Sequence, residues 1–134
     1  MGEIVPAVAA DGAGNGFDAV QAKLAALQRA AAQLNEHAER VAQRMRANAK
    51  AATTVADLSA AAQVDGRHVA AIAEVAGHFA RVAGGALRLS GAAESMHQAA
   101  GHLRSAHRAE YGGVHAAVAA SRARQAKPGF YRQT

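Results

Sequence analysis

The chain has 134 residues, a length that suits one domain, and 40 of them are alanine. It has no cysteine, which excludes disulfides, zinc–thiolate sites, iron–sulfur clusters and cysteine nucleophiles. Strand-forming residues are sparse, so an all-α chain is expected. The formal net charge is +5, and 12 of the 15 basic residues are arginine, a balance that permits contact with nucleic acid, anionic lipid or an acidic protein.

Residues 1–16 contain Pro6, Gly12, Gly14 and Gly16 and no helical apolar stripe, and read as a flexible N-terminal arm. The opening Met1–Pro6 is acidic and does not resemble a secretory signal, and no apolar run is long enough to span a membrane. A cytoplasmic location is the expectation.

From Phe17 a heptad pattern begins. With Phe17 at position a, the a series is Phe17, Leu24, Ala31, Ala38, Met45, Ala52 and Ser59. The d series is Val20, Leu27, Leu34, Val41, Asn48, Val55 and Ala62. Twelve of these fourteen positions are apolar. The alternating three–four spacing predicts a coiled-coil-like helix with an a/d seam. Asn48 is a candidate for fixing register, or else lies at the edge of a rolled helix.

Val64-Asp65-Gly66-Arg67 interrupts the frame with a turn signal, and Asp65 can cap the helix that follows. A second frame, shifted by one residue, runs through Ile72, Phe79, Ala86, Ala93, Ala100, His107 and Val114 at a. Its d positions are Val75, Val82, Leu89, Met96, Leu103, Glu110 and Ala117. A phase slip at a turn predicts an antiparallel helical hairpin over 17–121, with its turn near 64–67. Two helices leave a thin core, so dimerisation into a four-helix bundle is expected. Gly77, Gly84, Gly91 and Gly112 share one far-face position. They read as a second contact face or as tolerated glycines, with bends at Gly84-Gly85 and Gly112-Gly113. A bend at Gly84-Gly85 would fold the second helix back into a compact bundle. Residues 122–134 form a basic C-terminal tail.

No two histidines are three or four residues apart, and the chain has only six glutamates, so neither a metal nor another cofactor is expected. No nucleophile elbow or phosphate loop occurs. His107 and Glu110 occupy seam positions. They are candidates for setting register, for marking a frayed end, or for an acid–base pair. Arg40, Arg44, Arg46 and Lys50, with Arg122 and Arg124 in the tail, are the nucleic-acid candidates. Without a recognition-helix motif or stacking aromatics, such contact would be nonspecific. Phe130 and Tyr131, beyond Lys127-Pro128-Gly129, are the candidate anchors for an unidentified protein partner.

Three stretches carry a resemblance: Arg44-Met45-Arg46-Ala47-Asn48-Ala49-Lys50, His107-Arg108-Ala109-Glu110-Tyr111-Gly112-Gly113-Val114, and Lys127-Pro128-Gly129-Phe130-Tyr131. On these the chain resembles short helical conjugal transfer proteins of actinobacterial plasmids and integrative elements. That resemblance implies a small accessory protein of plasmid transfer with no catalytic residues to carry over. The resulting expectation is a non-enzymatic scaffold or interaction protein. Its alternative is a nonspecific nucleic-acid-binding helical module.

Overall fold

A computed structural model describes residues 16–121 of the chain. Two helices account for nearly all of them: α1, Phe17–Ala61, and α2, Gly66–Ala120. They lie against each other as an all-α antiparallel hairpin, with no strand among the described residues. Alanine is the strongest helix former and dominates both elements. α2 runs unbroken through Gly84-Gly85 and Gly112-Gly113, so it does not fold back into a compact bundle.

The connection sits two residues earlier than the turn signal suggests, at 62–65, and Gly66 opens α2. α1 closes with Val64 N–H donating to Ser59 O at 3.0 Å and Gln63 N–H to Ala60 O at 3.0 Å. This is a Schellman closure, which needs a left-handed residue at its centre. Gln63 supplies it with φ 58°, a conformation in which glycine would be unstrained. Asp65 then caps α2, its Oδ1 accepting from Arg67 N–H at 2.8 Å. That backbone bond, and the Arg67 guanidinium beside it, hold the Asp65 carboxyl below the usual carboxylate range.

The seam does not run through a and d. Among the described residues the buried apolar side chains are all alanine: Ala31, Ala38, Ala42, Ala56, Ala76, Ala83, Ala93 and Ala100. In both heptad frames these occupy positions a and e. Three cross-helix contacts fix the e register: Gln21 with Arg104, Gln28 with His97, and Asn35 with Ser90. Each step advances seven residues on α1 and retreats seven on α2. Continued toward the turn, the same register sets Ala42 opposite Ala83, Ala49 opposite Ala76 and Ala56 opposite Val69. The e ladder is therefore polar in the open half and methyl-lined in the turn half.

The physical reason is size. Small side chains at many e and a positions let the two helices approach closely, and the bulkier a residues Leu24, Met45, Ile72 and Phe79 are half-buried beside that contact. The seam rolls toward the alanine-rich e positions, and the bulkier d side chains turn outward. A Cβ on Gly101 would lie 2.6 Å from Gln28 Nε2, the movable end of a long side chain. One on the far-face glycines Gly77, Gly84 or Gly91 would come no closer than 3.8 Å to a side chain and would meet none of α1, whereas one on Gly112 would lie 3.9 Å from Phe17.

Candidate functional site

An antiparallel pair with the same heptad phase in both helices has a two-fold axis normal to the hairpin plane. That axis carries the d flank of α1 onto the d flank of α2 on the same side. Both d stripes therefore share one broad face. Leu27, Val41, Val55, Val75, Val82, Leu89, Met96 and Leu103 are exposed there, joined by Leu58 at an adjacent g position. Leu27 is 42%, Leu89 47% and Leu103 58% exposed. The formal charges at helical d and g positions are Lys23, Arg44 and Glu110 alone. Single exposed leucines need no explanation; here exposed apolar side chains recur at d along both helices, interrupted on α1 by Asn48.

The opposite flank is polar and cross-bonded. Gln21 Nε2 donates to Arg104 O at 3.1 Å and lies 2.9 Å from His107 Nδ1, which accepts when the imidazole carries its proton on Nε2. Ser90 Oγ donates to Asn35 Oδ1, and Asn35 Nδ2 donates to Glu94 Oε2 at 3.4 Å. His97 Nδ1 donates to Gln28 O at 3.0 Å. The sequence offers Asn48, His107 and Glu110 for setting register. Asn48 is half-buried and makes no side-chain hydrogen bond across the seam, Glu110 is exposed, and His107 meets the Gln21 amide. Gln21 and Asn35 bond across the seam through their side chains, whereas Gln28 receives His97 at its backbone carbonyl. The polar e positions Gln21 and Asn35 were the available signal.

His107 and Glu110 part company. His107 is half-buried at the open end and stacks on Phe17 with ring centroids 5.1 Å apart. Phe17 also stacks on His115 at 4.5 Å, and His115 Nε2 lies 3.5 Å from Asp18 Oδ2. The end is therefore packed, not frayed. Phe17, His107, Tyr111, Val114, His115 and Val118 line a cavity of about 360 Å³ there. Glu110 is exposed and is not part of that lining, so no acid–base pair is assembled from the two. Among the described residues no group of three or more His, Asp or Glu is placed to hold a metal ion.

Arg40, Arg44, Arg46 and Lys50 are all exposed. At about 100° per residue they form two i,i+4 pairs, Arg40 with Arg44 and Arg46 with Lys50, within an arc of about 160° on the half of α1 turned away from the seam. Glu36 lies 3.9 Å from Arg40 as a solvated i,i+4 pair. Phe130, Tyr131, Lys127, Arg122 and Arg124 lie outside the described residues. No described helix is long and apolar enough to cross a membrane.

Comparisons of the chain with protein-family models, with curated proteins and with solved structures give no match.

Proposed function

We propose that this chain is a non-enzymatic helical scaffold that works as a homodimer, its d face packed on the d face of a second copy to form a four-helix bundle. The observation that carries the reading is the apolar stripe shared by both helices. A hairpin about 80 Å long and one helix pair wide offers on the order of 1,000 Å² per copy, above the roughly 800 Å² per partner of a standard interface. Fully burying a Val, Leu or Met side chain contributes about 1.5–3 kcal/mol, against about 0.8 kcal/mol for an alanine methyl. The larger reserve of apolar burial thus lies outside the seam. The near absence of charge on this face suits a second apolar face and does not suit a polyanion.

The accessory role in plasmid transfer rests on the resemblance of the three stretches named above. A cytoplasmic scaffold with Phe130 and Tyr131 as its anchor for a further protein partner is the form that role takes. Nonspecific nucleic-acid binding is the competing reading: Arg40, Arg44, Arg46 and Lys50 share the outward half of α1, and salt-steep binding of a generic duplex would favour it.

Light scattering of the Val82→Lys/Leu89→Lys double variant tests the dimer. The variant is expected to give the mass of one chain while keeping its helical circular dichroism. An Ala80→Lys control, on the opposite flank, is expected to stay dimeric. A native chain that is already monomeric, or a double variant that remains dimeric, contradicts the proposal.

A further inference from the structure

Near the open end, on the flank opposite the apolar stripe, Gln28, Gly101, His102, Arg104, Ser105 and Arg108 line a groove of about 270 Å³. Four features set it apart from the rest of the surface. Arg104 and Arg108 stand one helical turn apart, so both guanidinium groups reach the same side. Neither forms an ion pair among the described residues. The Nε of Arg104 is buried and has no hydrogen-bond acceptor. Gly101 is the residue whose missing side chain leaves room for the Gln28 amide, since a Cβ there would sit 2.6 Å from Gln28 Nε2.

A buried donor without a protein acceptor is satisfied by water or by a ligand, and this one borders the groove that Arg104 itself lines. Of the carboxylates of this flank, Glu39 lies about three turns from Gln28 along α1, and Glu94 and Asp18 are engaged elsewhere. Both oxygens of Glu94 accept hydrogen bonds, from Asn35 at 3.4 Å and from Gln98 at 2.8 Å, and Asp18 lies by His115. Glu110 is at a d position, on the other face. Arg108 has one weak protein acceptor, Gln21 Oε1 at 3.4 Å. The groove therefore gathers two guanidinium groups, an amide, a hydroxyl and an imidazole with few acceptors among them. A carboxylate's acceptor sites lie in one plane and suit one guanidinium fork, whereas these donors come from two helices and several directions. A tetrahedral phosphate, with three or four oxygens, matches them.

We infer that the groove formed by Gln28, Gly101, Arg104, Ser105 and Arg108 is a binding site for a phosphate ester. Arg104 and Arg108 grip the phosphate oxygens, and the Gln28 amide and Ser105 hydroxyl complete the donor set. The volume leaves space for the ester substituent beside the phosphate. Because the groove lies on the flank away from the d face, it stays open in the proposed dimer, and its occupancy does not depend on dimerisation.

NMR titration of the full chain with inorganic phosphate tests this, read at the Arg104 Nε–H and the Gln28 side-chain amide. A parallel titration uses a short DNA duplex. Millimolar phosphate is expected to shift both signals, and Arg108→Gln, a change at an exposed residue, is expected to weaken binding about tenfold. If the duplex displaces phosphate from the same signals, the ester is a nucleic-acid backbone phosphodiester. If phosphate binds and the duplex leaves those signals unmoved, it is a small phosphate ester. Either outcome supports the site. No shift from either probe, or shifts unchanged by Arg108→Gln and Arg104→Gln, overturns it. The same titration on the Val82→Lys/Leu89→Lys variant separates the two proposals, because the phosphate response is expected to survive loss of the dimer.

Discussion

Replacing Ala42 by leucine tests whether methyl groups set the spacing of the hairpin. Ala42 is 1% exposed, and the register of the e ladder places it opposite Ala83, itself 3% exposed. Leucine adds three further carbons to a layer already closed. Two effects compete. If the helices separated freely, the added carbons would stabilise by about 0.8 kcal/mol each. They cannot separate at one layer alone, because Ala38 and Ala31 on the same stripe would lose their own contacts across the seam. Overpacking a close-packed layer typically costs about 1–3 kcal/mol, and the rigidity of two long helices makes that the dominant effect. For a domain near 100 residues this corresponds to a fall in Tm of roughly 5–20 °C. Ala47, exposed at a c position, is the matched control, where leucine is expected to change stability by less than about 0.5 kcal/mol. Thermal unfolding followed by circular dichroism reads both. An Ala42→Leu variant as stable as the native chain, or more stable, would refute the reasoning.

Three further outcomes follow from the seam and the turn. Asn35→Ala and Ser90→Ala each cost about 1 kcal/mol in urea unfolding, and the double-mutant cycle returns a coupling of similar size; additive effects would mean the bond between them does not hold the register. Gln63→Gly removes the left-handed strain at the turn and raises stability by about 0.5–1 kcal/mol, whereas a loss would show that the Schellman geometry is wrong. Asp65→Ala lowers Tm at neutral pH. The Asp65 carboxyl is held below its ordinary range, so its contribution is present above that range and fades as acid protonates it. The difference in Tm between native and variant chains should therefore shrink at low pH, and a constant difference would count against the cap.

Much of the fold was legible because the signals were strong and local. Phe17 begins both the heptad pattern and α1, and Asp65 caps α2 as its position after a helix end suggests. The antiparallel hairpin followed from the phase slip between the frames. What was not legible was the side each helix turns to its partner. Apolar counting favours Val82, Leu89 and Met96 over Ala83 and Ser90, since it scores hydrophobicity and not size. In a pair of helices with no further layer, the smallest side chains decide the approach, and e replaced d in the seam. The candidate site shifted for the same reason. Asn48 sits at d and is off the ladder, while Gln21 and Asn35 sit at e and bond across the seam through their side chains. Phe17 with His107 and His115 was missed because their stacking depends on the inter-helix register, which no local pattern carries.

The central claim is that the seam is a/e and that the d stripe is the face a second copy covers. Thiol labelling of single-cysteine variants tests both parts at once, because the chain has no cysteine of its own. Ala83→Cys is expected to react slowly at every protein concentration, and Ala80→Cys rapidly at every concentration. Leu89→Cys is expected to react rapidly when dilute and slowly when concentrated. A Leu89→Cys thiol protected even at the highest dilution, together with a reactive Ala83→Cys thiol, would place d in the seam and contradict the account.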